Sequence, residues 1–234
     1  MSQDQNIGGQ NAGGQGAGRD AAGEKGAPSP AEAAIQNVIF DMGGVLMRFS
    51  GIEFAREFTS CEEDAQALDA ALFSHPSWAL LDAGAIDEDT MERVSRELLP
   101  ERLHGALNEC LHGWWRHRTV VAGTNELVAR LHDAGYGCYL LSNAGTSFMA
   151  FKDSIPAFSH MDGWLVSSFV RLMKPDPRIY RMLAGEYGLD PARCLFVDDN
   201  ADNVRGARAA GMHAHLFTDA DALERDLLAR GLLF

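Results

Sequence analysis

Hydrophobic and polar positions change rhythm along the chain and divide it into zones. From Ser2 to Pro30 large apolar side chains are almost absent, and Gly, Gln, Ala and Asn dominate. Such a stretch cannot bury enough apolar surface to offset the ordering of its backbone, so residues 1–33 are expected to form a disordered tail. Val38-Ile39-Phe40 is then a continuous apolar run that stops at Asp41 and the glycines behind it. That is the pattern of a strand buried on both faces. From Phe49 to Arg118 apolar residues recur at helical spacing: Ile52, Phe54, Ala55 and Phe58, then Ala65, Leu68, Ala71 and Leu72, and later Leu103, Leu107, Leu111 and Trp114. Asp87 is expected to cap the helix that carries Met91, Val94 and Leu98, and Pro100 to end it. No strand pattern interrupts residues 51–118, which read as an inserted all-helical segment of about four helices.

From Thr124 strands and helices alternate. Thr124 is expected to cap a helix through Leu127, Val128 and Leu131 that Gly135 ends. Cys138–Leu141, Trp164–Val166, Cys194–Val197 and His213–Leu216 read as short strands. Between and after them, Phe148–Phe158 (stopped near Pro156), the stretch from Asp176-Pro177, Ala201–Ala210 and Asp221–Leu232 read as helical. This alternation predicts an α/β fold, a mostly parallel sheet covered on both faces. Residues 34–50 and 119–234 supply that core.

Composition narrows the function classes. The formal charge of -13, from 33 acidic and 20 basic residues, lacks the basic footprint of a nucleic-acid binder. An anionic small substrate stays compatible, because a local site can oppose the net field. No stretch has the length of a membrane-spanning helix, and no apolar leader opens the chain, so a cytoplasmic protein is expected. The four cysteines are far apart and form no CxxC, which points to neither a zinc knuckle nor a disulfide framework. The apolar end, Leu232-Leu233-Phe234, fits a monomer or a homodimer equally well.

Polar clusters follow strands or open helices in the alternating half: Asp41, Ser142-Asn143, Lys174, and Asp198-Asp199 with Asn200 and Asn203. Ligands of open α/β sheets bind outside the carboxyl ends of the strands, where these residues fall. Ser142-Asn143 alone reads equally as a turn, and Lys174 alone as a solvated loop residue. Adjacent carboxylates at Asp198 and Asp199 repel each other unless a cation is present, and Mg²⁺ suits an all-oxygen donor set. Together the clusters make a phosphoryl-transfer site. Asp41 can attack phosphorus, and Mg²⁺ held by Asp41 and the Asp198-Asp199 region neutralises phosphate charge. The Ser142 hydroxyl and nearby backbone donors hold phosphoryl oxygens, and Lys174 adds a fixed positive charge.

At these positions the sequence resembles the haloacid dehalogenase-like hydrolases, most of which are Mg²⁺-dependent phosphatases. Asp41 matches their first-motif nucleophile, Leu140-Leu141-Ser142-Asn143 their second motif, and Lys174 before Pro175 the third. Phe196-Val197-Asp198-Asp199-Asn200-Ala201-Asp202-Asn203 matches the fourth. The resemblance implies a Rossmann-like core with a helical cap between the first two motifs. It implies catalytic roles for Asp41, Ser142, Asn143 and Lys174, and a metal set of Asp41, Asp199 and the Gly43 carbonyl, with Asp198 as close helper. Gly44, Ser142, Asn143 and Lys174 are the expected substrate contacts, joined by Arg48 from just beyond the nucleophile loop. Asp82 to Asp87 is expected as hinge or surface, and Trp78, Trp114 or Trp115 as a stacking face for a sugar ring.

The sequence departs from that family at Gly43. Most of these phosphatases carry a second Asp there, which protonates the leaving group and later activates water. Such help is typically worth about 10²–10⁴-fold. The branch with Asp-x-Gly-(Asn/Gly)-Val in the first motif looks like sugar-phosphate phosphatases, and an anomeric leaving oxygen needs a proton less. A small phosphorylated metabolite, a sugar phosphate, is therefore the expected substrate. A haloacid dehalogenase and a non-catalytic phosphate-binding protein are the alternatives that Gly43 keeps open. The acidic pair Asp198-Asp199 weighs against the dehalogenase, and retention of Asp41, Lys174 and the acidic pair weighs against the non-catalytic reading.

Overall fold

The computed structural model describes residues 34–234; the tail assigned to residues 1–33 lies outside them. Strands β1 (Asn37–Phe40), β2 (Gly137–Ser142), β3 (Gly163–Val166), β4 (Cys194–Asp198) and β5 (His213–Leu216) form one parallel sheet in the order β3-β2-β1-β4-β5. The central strands β1, β2 and β4 are apolar up to their polar ends because both faces are covered, and the alternation sorts their residues between two cores, whereas the edge strand β5 carries His213 and His215 and ends on the exposed Leu216. Val38, Phe40, Cys138, Leu140, Leu195 and Val197 face one side. There they meet Leu127, Val128 and Leu131 of α6 (Ala122–Asp133) and Leu223 and Leu227 of α11 (Ala220–Ala229). Ile39, Tyr139, Leu141, Cys194 and Phe196 face the other side, against α9 (Pro177–Glu186) and α10 (Ala201–Ala209).

Five helices lie between β1 and α6: α1 (Gly51–Glu57), α2 (Glu62–Ala71), α3 (Pro76–Asp82), α4 (Glu88–Leu98) and α5 (His104–Leu111). The segment counted as about four helices splits further because the chain breaks at Ser74-His75 before Pro76, which starts α3. Asp87 caps α4 by accepting the Thr90 N–H at 2.9 Å. The helical segment is not a detached body. Leu68, Leu72, Met91 and Leu107 belong to the same continuous cluster as Val38 and Phe40 of the sheet. Aromatic contacts extend the join, with Trp114 5.4 Å from Phe49 and 5.5 Å from Phe151 between ring centres.

Several boundaries differ from the sequence pattern. Thr124 lies inside α6 and is buried rather than capping it. The start of the helix is held instead by Asn125, whose Nδ2 donates to the carbonyls of Val121 and Leu46 at 2.8 Å. The stretch after β2 is a single α turn, α7 (Phe148–Phe151), followed by 3-10 turns, and a further turn, α8 (Ser167–Val170), follows β3. The last helix stops at Ala229, and the Leu232 N–H returns to Leu227 O so that Leu232 packs into the core.

One contact fixes where the helical segment between β1 and α6 meets the loop after β3. Gly84, just after α3, has φ +65°, and a Cβ there would lie 2.3 Å from the Ser168 carbonyl oxygen of α8. Gly84→Ala is expected to cost at least about 1–3 kcal/mol through left-handed strain alone, with the backbone clash added. The check is a lower midpoint in denaturant unfolding with an unchanged slope.

Candidate active site

The site forms at the carboxyl ends of β1, β2 and β4. The chain leaves β1 toward β2 on one side and later returns to β4 on the other, so β1 and β4 flank the switch point where open sheets bind ligands. Asp41 follows β1 directly, and its N–H bonds Val197 O of β4 at 2.9 Å. Lys174 is buried, and its Nζ bridges Asp41 Oδ1 at 2.7 Å and Asp198 Oδ2 at 2.8 Å. Asn143, just after β2, grips the Lys174 backbone with both side-chain groups: Nδ2 donates to Lys174 O at 3.0 Å, and Oδ1 accepts the Lys174 N–H at 2.9 Å. Asn143 thus positions the lysine. Asp198 is fully buried, and it accepts from the Asn200 N–H at 2.8 Å and from Asn203 Nδ2 at 3.1 Å as well as from Lys174. With its oxygens so occupied, it serves as the fixed frame for Lys174 and Asn203.

A cavity of about 320 Å³ opens above these residues. Its floor carries Asp41, Gly43, Gly44, Ser142, Asn143, Lys174, Asp199 and Asn203. Its wall is apolar and comes from both halves of the chain: Phe49, Trp78, Leu81, Trp114, Phe148 and Phe151. Of the three cap-side tryptophans, Trp78 and Trp114 line the cavity, whereas Trp115 stacks on Phe151 behind it.

Arg48 does not join the site. It is exposed in a separate cleft with Glu53, Arg56, Glu57 and His117. Met47 pairs with Val120 and is buried, and the Arg48 N–H bonds Thr119 O, so alternation along this extended stretch turns the arginine outward. Asp82 is the opposite correction. Expected as hinge or surface, it ends α3 and lines the cavity beside Leu81. The periodicity of a cap helix tells which face is apolar, but not which end meets another element, so no sequence signal marked it.

Electrostatics follow from burial. Desolvation pushes the Asp41 carboxyl up to about 7, with Asp198 adding to the rise and Lys174 opposing it. Burial pulls the Lys174 ammonium down, but Asp41 and Asp198 outweigh that and its affinity for its proton ends above the ordinary value. Asp199 is raised by burial and by Asp198. Asp41, Asp198 and Asp199 offer oxygens within 4.8 Å of one another, and among the described residues that line the cavity one ammonium faces them. This surplus of anionic oxygen fits Mg²⁺, with Asp41 and Asp199 as the carboxylates less committed to other partners. Gly44 permits the arrangement: it has φ +77°, and a Cβ there would lie 2.0 Å from Asp199 Oδ2. Gly44→Ala is expected to displace the Asp199 carboxylate and weaken Mg²⁺ binding by about 10–100-fold in titration calorimetry.

The family model of haloacid dehalogenase-like hydrolases matches residues 35–211, the span that holds every one of these groups. The chain belongs to the haloacid dehalogenase-like hydrolases. This hydrolase is 28% identical over 163 residues to flavin mononucleotide hydrolase 1 of Arabidopsis thaliana, an alignment covering 68% of this chain and 64% of that protein. It is 34% identical over 131 residues to phosphoserine phosphatase of Thermus thermophilus, covering 53% and 52%. The hydrolase therefore spans less than two thirds of the length of either relative. A HAD family enzyme of Bacteroides thetaiotaomicron, solved with magnesium and inorganic phosphate, shares the fold with a TM-score of 0.62 at 18% identity, over 80% of this chain and 96% of that one. Among the described residues no helix is long and apolar enough to cross a membrane.

Proposed function

We propose that this hydrolase is a Mg²⁺-dependent phosphatase of a small phosphorylated metabolite, working through an aspartyl-phosphate on Asp41. The observation that carries the reading is the Lys174 bridge between Asp41 and Asp198, with Asp199 close by. A carboxylate nucleophile that displaces halide has no use for further acidic oxygens beside it, whereas a phosphoryl group needs its charge neutralised on several sides. Relatives named as a flavin mononucleotide hydrolase and a phosphoserine phosphatase support a phosphate ester.

The residues divide the work as follows. Lys174 holds Asp41 by one oxygen and so orients the carboxylate for attack on phosphorus. The Ser142 hydroxyl and the Gly43 N–H receive the phosphoryl oxygens at the cavity floor, the Gly44 N–H being engaged by Met47 O at 2.8 Å. Mg²⁺, when bound by Asp41 and Asp199, supplies charge neutralisation to those oxygens. Asp41 bonds to phosphorus as the ester oxygen departs, and water then releases phosphate and returns the carboxylate. The apolar wall excludes bulk water; Trp114 is buried in it among Phe49, Phe54 and Phe151, and the half-buried Trp78 is the indole left to meet a ligand. An aromatic side chain there suits the C–H side of a sugar ring, which supports a sugar phosphate as the substrate class.

The test is phosphate release from a panel of phosphorylated metabolites with and without Mg²⁺. Metal-dependent release confined to ring-bearing substrates is the expected result. A halide product from 2-haloacids in the absence of metal would sink the phosphatase reading in favour of the dehalogenase that the bare Gly43 keeps in view.

A further inference from the structure

A phosphatase of this kind must move a proton twice, and the loop around Asp41 has no side chain to do so, since Gly43 stands where a second carboxylate would. The ionisable groups lining the cavity are Asp41, Asp82, Lys174 and Asp199. Asp41 is the nucleophile, Lys174 its fixed counter-charge, and Asp199 a metal ligand in the reading above. Asp82 is left without a task. Resting on that reading, we infer that Asp82 of the cap is the proton donor to the leaving oxygen and then the base that activates water.

The backbone fixes Asp82 at the cavity. It is the last residue of α3, and its carbonyl accepts the Ser167 hydroxyl at 2.5 Å. The same hydroxyl accepts the Ala144 N–H at 3.0 Å, so one side chain ties the end of α3 to the loop that presents Ser142 and Asn143. Gly84 closes the contact from the other side by its approach to Ser168. Asp82 lines the cavity with Leu81, Trp114 and Gly145, and the Gly145 amide acts on its carboxyl. Burial there pushes it up to about 7; the Gly145 amide opposes the rise, Asp41 adds to it and Lys174 counters it. A group poised near neutrality suits both halves of the cycle.

The balance is complete with no further reactant. As an Asp41 oxygen bonds to phosphorus, the ester P–O bond breaks, its electron pair goes to the leaving oxygen, and the Asp82 proton joins that oxygen to give the alcohol. The Asp82 carboxylate then takes a proton from water as the water oxygen bonds to phosphorus. The bond from phosphorus to Asp41 breaks with its electrons returning to the carboxylate, and phosphate leaves with Asp82 protonated again. The preference for weakly basic leaving groups expected from Gly43 is therefore lifted in the native chain.

The experiment compares the native chain, Asp82→Asn, and Asp82→Asn with Gly43→Asp on two ring-bearing substrates, a sugar phosphate esterified at a primary alcohol (the alkyl ester) and 4-nitrophenyl phosphate (the aryl ester), with Mg²⁺ present. Asp82→Asn is expected to lower kcat on the alkyl ester by about 10²–10⁴-fold and on the aryl ester much less. The fall of kcat/KM above about pH 7, set by Asp82, should vanish. Gly43→Asp should restore the alkyl rate, because a Cβ at Gly43 meets only Phe49 Cβ, at 3.6 Å. An equal loss on both esters, a change in KM alone, or an unaltered alkaline limb would overturn the role of Asp82 and leave the phosphatase standing. No Mg²⁺-dependent release by the native chain would overturn both.

Discussion

Asp41→Asn is expected to abolish phosphate release, by about four orders of magnitude or more, while leaving the fold intact. Removal of a nucleophile acting within a coupled group typically costs on this scale. The substitution keeps the shape of the side chain and leaves Lys174 paired with Asp198 at 2.8 Å, with Asn203 and Asn200 still bonded to Asp198. The one remaining buried ion pair is then balanced. The sign of the stability change follows from the raised carboxyl. A group lifted to about 7 in the fold, against about 3.9 in the open chain, binds more protons folded than unfolded between those values. Its contribution falls as pH rises through that window and stays low above it. Asn has no charge to bury, so the variant should melt at or above the native temperature at pH 8, with the difference shrinking near pH 4. Thermal melts across pH, run beside the phosphate assay, check both. A variant that is inactive because it is unfolded would contradict the assignment of Asp41 to chemistry.

Lys174→Met should be damaging in both respects. Methionine fills the space of the stem but leaves Asp41 and Asp198 facing each other without a cation. Removing one partner of a buried pair costs about 3–5 kcal/mol. Without the lowering effect of Lys174, Asp41 rises further. The instability is therefore smaller near pH 4, where the buried Asp41 carboxyl holds its proton, and grows as pH rises through 7. Activity falls as well, by about 10²–10³-fold, since a preorganised charge beside the reacting phosphate is lost. Denaturant midpoints between pH 4 and 8 read the first effect. Recovery of stability on acidification separates uncompensated charge from loss of packing around Phe196, whose ring lies 5.4 Å from the ammonium.

The central strands were legible in the order of residues, because β1, β2 and β4 are short apolar runs closed by turn chemistry and need cover on two faces. The sequence by itself also determined that Asp41, Ser142, Asn143 and Asp198 lie together, since strand ends of a parallel sheet share one edge; Lys174 comes from the loop before α9 and is brought to them by the grip of Asn143 on its backbone. Asp87 was legible as a cap because capping is local, a side-chain oxygen reaching an amide a few residues on. Thr124 was misleading for the same reason: its type suits a cap, but the reach of Asn125 to Leu46, distant in the chain, decides where α6 begins. Only the tertiary structure turned Arg48 outward, through the pairing of Met47 with Val120. It alone placed Asp82 in the cavity, through Ser167 and the close approach of Gly84 to Ser168. The physical reason is range. Periodicity, capping and turn preference act over a few residues and can be read from order along the chain. Which end of a cap helix faces the catalytic edge depends on contacts between residues more than eighty positions apart, as between Asp82 and Ser167.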